Sequence, residues 1–217
     1  MSLSKFFSAI VFGVLSPPFC VQCEQWGELL CDKCYETIDF LYDQPLPQLA
    51  PLYLDQVVCA CRYGGAIKTL LKSLKYQSVI EAGRLCGRLL YHCVIIPKVD
   101  YITSVPIHPK RLRERGFNQA QVIAQTLSKF INLPHQDFLI RSIHGSHQAS
   151  INSREMRLQH VTHHFSLNPN LSSPLPETIL LIDDVLTTGS TLNECARVLK
   201  ANGCRTVIGL TIARQAS

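Results

Sequence analysis

The stretch that most constrains the fold is ILLIDDVLTTGST, from Ile179 to Thr191 near the carboxyl terminus. Four apolar residues in a row predict a strand buried on both faces, as is typical of a parallel sheet. An acidic pair, Asp183 and Asp184, stands where this strand is expected to end, and a small hydroxyl-rich loop follows it. Apolar residues at helical spacing come next, and Cys204 to Ala213 is again apolar. The pattern predicts a β-loop-α-β unit of an α/β fold.

The loop after the acidic pair has the chemistry of a phosphate site. Backbone N–H groups at a helix amino terminus are unpaired and carry partial positive charge, and hydroxyl side chains add further donors. Gly189 would let the backbone approach a ligand closely. The carboxylates upstream suit ribose hydroxyls or a divalent metal on oxygen ligands. A phosphorylated sugar satisfies both halves, whereas the alternative is a capped turn with a solvent-exposed acidic pair.

Four cysteines near the amino terminus predict a metal site. They form two Cys-x-x-Cys pairs separated by seven residues: Cys20, Cys23, Cys31 and Cys34. Each pair can form a tight knuckle, and we predict that together they hold a structural zinc ion, without which so small a module would not fold. Reduced thiols or two disulfides are the alternative. The remaining six cysteines are expected to be reduced core residues: Cys59, Cys61, Cys86, Cys93, Cys195 and Cys204.

Composition places the chain among core-forming globular proteins. Of its 217 residues, 47% are hydrophobic and 17% charged, and the net charge of +5 gives a mild preference for anionic partners. The apolar run from Phe6 to Leu15 is too short to span a bilayer, and no signal-peptide cleavage site follows it. We therefore expect an amphipathic anchor packed against the body, no membrane span and a cytoplasmic protein.

Two basic stretches lie in the middle of the chain. One is a row of lysines on a helix predicted after Gly64-Gly65, which we interpret as a solvated face in preference to a ligand contact: Lys68, Lys72 and Lys75. The other is a loop after a strand that begins at Tyr101, with four basic residues in six positions: Lys110, Arg111, Arg113 and Arg115. Open α/β sheets bind ligands at this end of their strands, so we favour pyrophosphate as the partner of this loop. A single-stranded DNA backbone and a merely solvated loop are the alternatives.

Three motifs together resemble one known family. Residues 179–191 are similar, position by position, to the phosphoribosyl pyrophosphate (PRPP) signature of type I phosphoribosyltransferases. Combined with the four-cysteine motif and with VPIHPKRLRERGFNQA, from Val105 to Ala120, the signature resembles the ComF family of competence-associated proteins, also called ComFC or GntX-like. The resemblance implies a type I phosphoribosyltransferase-like fold, with a mostly parallel sheet flanked by helices, behind a small zinc-finger module. We expect an anchor and zinc finger in 1–40, a linker in 41–56 and the phosphoribosyltransferase-like domain in 57–217.

The resemblance also implies a role for each residue of the signature. The acidic pair would face the ribose 2′ and 3′ hydroxyls, and the following loop would wrap the 5′-phosphate, so the expected PRPP contacts are Asp183, Asp184, Thr187, Thr188, Gly189, Ser190 and Thr191. If the protein is an enzyme, the chemistry of this ligand leads us to expect Mg²⁺ as a cofactor and pyrophosphate contacts from Lys110, Arg111 and Arg115. Asp184 is a candidate catalytic base. The acceptor, and whether the protein is an enzyme at all, stay open.

The family further implies a link to the uptake and handling of transforming DNA. Besides a Mg²⁺-dependent transferase, two alternatives stay open: a non-catalytic PRPP-binding scaffold for competence proteins, and a protein that handles single-stranded DNA through the zinc finger and the basic loop. The stretch from Ser142 to Phe165 would correspond to the hood loop of such folds, where Gln148, Arg157 and Phe165 fit the family pattern. Its histidines predict a polar loop in preference to a second metal site.

Overall fold

A computed structural model describes residues 19–41, 53–77, 79–141 and 164–215. Its strands are β1 (Gln56–Arg62), β2 (Tyr101–Ser104), β3 (Leu139–Arg141), β4 (Phe165–Leu167), β5 (Thr178–Leu186) and β6 (Thr206–Arg214). Four of them form one parallel sheet in the order β1-β6-β5-β2, and β3 pairs with β4 in a separate antiparallel ribbon. The predicted mostly parallel sheet is confirmed.

Helices cover both faces of this sheet. They are α1 (Asp32–Tyr35), α2 (Gly65–Tyr76), α3 (Ile80–Cys93), α4 (Pro109–Arg115), α5 (Gln119–Ile131) and α6 (Ser190–Ala201). One apolar core lies between the sheet and α2, α3 and α5, and the other lies between the sheet, α6 and the β3-β4 ribbon. No helix within the described ranges is long and apolar enough to cross a bilayer.

The central strand β5 is buried on both faces, as predicted, but it ends later than expected. Its four apolar residues alternate between the two cores and are fully buried: Ile179, Leu180, Leu181 and Ile182. The strand then runs past the acidic pair to Leu186, because β6 continues to pair with it as far as Arg214. The acidic pair therefore lies within a strand, and the prediction that it follows the strand is wrong.

The basic segment expected to be a loop is instead the short helix α4. Pro109 is its first residue, and the His108 Nδ1 accepts the backbone N–H of Lys110 at 3.1 Å. Gly116 ends the helix in a left-handed conformation, with φ of 80°. Proline at the start and glycine just past the end are strong helix boundary signals. They explain why this segment is a helix and not the expected loop.

The four-cysteine module packs directly on the sheet domain. Cys20, Leu30 and Cys34 share a core with α2 and α3, and the Thr69 hydroxyl donates to the Gln22 Oε1 at 2.6 Å. Phe40 forms an antiparallel bridge with Cys61 in β1. The proposed anchor (residues 6–15), most of the expected linker, and Gln148 and Arg157 of the expected hood lie outside the described residues. The domain boundaries remain predictions.

Candidate functional site

A cleft of about 460 Å³ opens at the carboxyl ends of β2 and β5. Because these strands are parallel neighbours, the residues that end them meet at one edge of the sheet, where open α/β folds bind ligands. The end of α2, the β2-α4 connection, α4, the start of α5 and the end of β3 form the other walls. The cleft therefore joins segments that are far apart in sequence.

Both carboxylates of the acidic pair line this cleft. The backbone N–H of Asp184 donates to the Asp183 Oδ1 at 2.8 Å. Burial raises the pKa of Asp183 to about 7, and the negative charge of Asp184 acts in the same direction. Near neutral pH, Asp183 can thus carry a proton and donate it to a hydroxyl or phosphate oxygen.

The acidic pair has a cationic partner on α2, Lys75. Its Nζ lies 2.7 Å from the Asp184 Oδ2, and the two side chains are only 23% and 14% exposed, respectively. The prediction that the lysine row is a solvated face is therefore wrong for Lys75, although Lys68 and Lys72 are exposed. A charge pattern along one helix does not show which lysine meets a partner from another element.

The hydroxyl-rich segment turns from β5 into α6. Gly189 has φ of 78° and precedes the first residue of the helix, so Ser190 and Thr191 belong to α6 and not to a loop. The Thr188 Oγ1 and the Ser190 Oγ lie 3.0 Å apart. Thr191 lines the cleft. The residues that precede it in the chain, Thr187 to Ser190, are partly or fully exposed. The amino terminus of α6 thus offers N–H and hydroxyl donors beside the acidic pair.

Two of the three basic residues expected to contact pyrophosphate line the cleft. Arg111 and Arg115 project from α4 into it, whereas Lys110 is exposed and is not part of its lining. Arg115 lies over the ring of Tyr76, 5.4 Å from its centroid, and donates to the Gln119 Oε1 at 3.0 Å. These contacts hold the guanidinium in one place, as a site for an anion requires.

Sequence reasoning missed three further cleft residues, Tyr76, Gln119 and Arg141. Arg141 ends β3 and lies 5.1 Å from the ring centroid of Phe165; burial and the nearby Arg111 lower the pKa of its guanidinium. Gln119 is 4% exposed, and its Nε2 has no hydrogen-bond partner within the described ranges. The only signal for Gln119 was its place in the GFNQ stretch, and none pointed to Arg141.

The four cysteines of the amino-terminal module form a cluster that can hold one metal ion. Their sulfur atoms all lie within 4.8 Å of one another, and four thiolates around one zinc ion would be about 3.8 Å apart. Burial disfavours the Cys20 thiolate, but hydrogen bonds from backbone groups of Cys31, Cys23 and Gln22 outweigh it and lower the pKa to about 6. The other six cysteines are free thiols, and all but Cys93 are buried, as predicted.

Comparison with known proteins agrees with this architecture. Residues 113–217 match the family model of the phosphoribosyl transferase domain. Competence protein F of Haemophilus influenzae is 29% identical over 74% of this chain and 73% of its own length. DNA utilization protein YhgH of Escherichia coli O157:H7 is 28% identical over 70% of this chain and 69% of its own length. Competence protein ComFC of Bacillus subtilis is 32% identical over 85% of this chain and 67% of its own length. The chain therefore belongs to the ComF family, with a phosphoribosyltransferase domain behind a four-cysteine module.

Proposed function

We propose that this protein binds PRPP together with Mg²⁺ in the cleft at the carboxyl edge of its sheet. The observation that carries the proposal is that one cavity is lined both by the two carboxylates of β5 and by three guanidinium groups, those of Arg111, Arg115 and Arg141, with Glu114 as a further carboxylate on α4. PRPP complements this lining, because its neutral ribose hydroxyls can donate hydrogen bonds to carboxylates and its 5′-phosphate and pyrophosphate are anions that pair with guanidinium groups. One ligand thus suits both the acidic and the basic groups of the cleft.

Each part of the ligand has a matching group in the cleft. Asp183 and Asp184 would accept hydrogen bonds from the ribose hydroxyls, and the 5′-phosphate would bind at the amino terminus of α6, from Thr187 to Thr191. Pyrophosphate would meet Arg111, Arg115 and Arg141. For Lys110 we propose only a longer-range electrostatic contribution to pyrophosphate binding, because its side chain is exposed on α4.

The acidic pair also suits a hard divalent cation, since it offers oxygen donors that are partly open to the cleft. Bound Mg²⁺ would neutralise charge on the departing pyrophosphate. The chain itself would position the ribose and stabilise the leaving group through its arginines. Asp184 is the proposed base, and its ion pair with Lys75 must open before it can accept a proton.

We further propose that zinc occupies the four-cysteine cluster and that the protein acts in the cytoplasm. Four sulfur ligands at these separations suit tetrahedral zinc better than a hard cation. The six cysteines outside the cluster are free thiols, as suits a reducing compartment. The names of the relatives, competence proteins and a DNA utilization protein, support a role in DNA uptake or use. Single-stranded DNA and competence proteins are the proposed partners.

The decisive experiment is calorimetric titration of the zinc-loaded protein with PRPP and Mg²⁺, followed by measurement of released pyrophosphate with a panel of bases. We expect binding that weakens by roughly tenfold to a hundredfold in Asp184→Asn, because a hydrogen bond to a charged group is lost. Glu177→Gln, which removes an exposed carboxylate at the opposite end of β5, is the matched control. Equal affinity for Asp184→Asn and wild type would show that the ligand site is misplaced.

The same titration separates the candidate functions. Pyrophosphate release that depends on an added base would establish a transferase. Binding without release would favour a scaffold that uses PRPP as a signal. Absence of PRPP binding would refute the proposal. Single-stranded DNA would then be the ligand to examine, by comparing its salt-dependent binding to wild type and to the Arg111→Ala and Arg113→Ala variants.

A further inference from the structure

The ion pair between Lys75 and Asp184 is built into the fold of α2. Three leucines of this helix are completely buried against the sheet, and they fix its rotation about its own axis: Leu70, Leu71 and Leu74. With that rotation set, Lys75 in the last turn faces the cleft, and its Nζ reaches the Asp184 Oδ2 at 2.7 Å. Lys72, one turn earlier, is exposed to solvent.

A lysine in this position competes with a divalent cation for the same oxygen. A metal on the acidic pair would use the carboxylate oxygens of Asp183 and Asp184, and one oxygen of Asp184 already bears an ammonium group. Two cations cannot share that oxygen without strong repulsion in a partly enclosed cleft, where charge interactions are screened less than in bulk water. The arginines of the cleft add to the positive potential.

We propose that the Lys75 ammonium is the resident cation of the acidic pair, and that a divalent metal gains Asp184 only by displacing it. The protein alone is then a weak metal site, and the metal arrives mainly with an anionic ligand that offsets its charge. Once displaced, the ammonium remains on the cleft wall with Arg111 and Arg115, where it can pair with a phosphate of that ligand. Lys75 is thus a positioning residue that sets the order in which metal and anion bind.

The test is titration of the zinc-loaded full chain with Mn²⁺ alone, with the free ion measured by its electron paramagnetic resonance signal. Mn²⁺ prefers oxygen ligands and reports on the acidic pair with zinc left on the cysteines. We expect Lys75→Met to bind Mn²⁺ on the order of tenfold more tightly than wild type, because one positive charge next to Asp184 is gone. Lys75→Arg should remain as weak as wild type.

Three further variants make the result specific. Lys72→Met removes a lysine from an exposed position of the same helix and should leave Mn²⁺ affinity within about twofold of wild type, because a solvated charge is well screened. Adding Asp184→Asn to Lys75→Met should remove the gained affinity. Lys75→Gln provides a second neutral variant should Lys75→Met fail to fold, and thermal unfolding with zinc content verifies each protein.

Equal Mn²⁺ affinity for wild type and both neutral variants would overturn the proposal, as would an equal gain in Lys72→Met. The inference shares its acidic pair with the proposed PRPP site, but the Mn²⁺ titration contains no ribose phosphate. A gain in Mn²⁺ affinity without any PRPP binding would support the role of Lys75 while refuting the proposed function. PRPP binding without a gain in Mn²⁺ affinity would support the proposed function and refute the role of Lys75.

Discussion

The two candidate sites of this protein are built in opposite ways. The four-cysteine cluster comes from one short segment, Cys20 to Cys34, and its ligands lie within 4.8 Å of one another. The cleft takes its charged groups from α2, α4, the end of β3 and β5. The first site depends on local spacing, whereas the second depends on how distant elements pack. Their responses to mutation should differ accordingly.

The largest effect we expect is loss of the amino-terminal module on removal of its metal. Chelation or Cys34→Ser should release one metal ion per chain and unfold residues 20–34, because metal binding supplies on the order of 10 kcal/mol of folding free energy to such modules. Hydrogen exchange of the 19–41 segment and elemental analysis would measure this. Cys204→Ser is the control, because this cysteine lies outside the cluster and its thiol donates only to the backbone oxygens of Glu177 and Thr206. Absence of stoichiometric metal in freshly purified, reduced protein would contradict the prediction.

A change in helix packing should damage the cleft and spare the metal. A Cβ on Gly87 in α3 would lie 2.6 Å from the Thr126 Cβ and 2.9 Å from the Ile123 carbonyl of α5, so Gly87→Ala must push the two helices apart. We expect a loss of about 1–3 kcal/mol in the free energy of unfolding and weaker PRPP binding, because the start of α5 forms part of the cleft.

Gly64→Ala is the matched control, because its added Cβ would meet no atom within 4 Å and its backbone is extended. Denaturant unfolding and metal content would be compared in both variants. If Gly87→Ala lost metal as readily as it lost ligand, the two sites would not be independent.

The pH dependence of stability should reveal the buried carboxyl of the cleft. The pKa of Asp183 is raised from 3.8 to about 7, so the native state binds more protons than the unfolded state between these values. Its contribution to the free energy of unfolding is therefore present below about pH 4 and is lost as pH rises through 7, by on the order of 4 kcal/mol. Asp55 and Asp100 have lowered pKa values, so their contributions to stability change with pH in the opposite direction. The effect of Asp183 must therefore be measured as the difference in free energy of unfolding between wild type and a variant at this residue.

Chemical denaturation of wild type and Asp183→Asn from pH 4 to 8 would measure this difference. The variant should gain stability relative to wild type as pH rises through this window. A difference that does not change with pH would mean that Asp183 ionises normally.

The smallest effect we expect distinguishes the arginines of α4 from their neighbouring lysine. Arg115→Ala should weaken PRPP binding by about tenfold, because the guanidinium is held in the cleft by Tyr76 and Gln119. Lys110→Ala should change it by no more than about twofold, since an exposed charge is screened. Calorimetric titration with PRPP and Mg²⁺ at one salt concentration would compare the two. Equal losses would mean that α4 acts only through its net charge.

The sequence by itself determined the features whose chemistry is local. The spacing of four cysteines predicted a metal cluster, and the apolar run before the acidic pair predicted a strand buried on both faces. Both patterns depend on residues that are neighbours in the chain, where the geometry is set by a few backbone angles. The family resemblance extended this to the whole fold.

Only the tertiary structure decided which residues share the cleft. Strand β5 runs past the acidic pair because β6 pairs with it to Leu186, and Lys75 meets Asp184 because buried leucines fix the rotation of α2. Arg141 reaches the same cleft from the β3-β4 ribbon. These contacts arise from packing between elements distant in sequence, and no local pattern records them, because the energy that places each side chain comes from its neighbours in space.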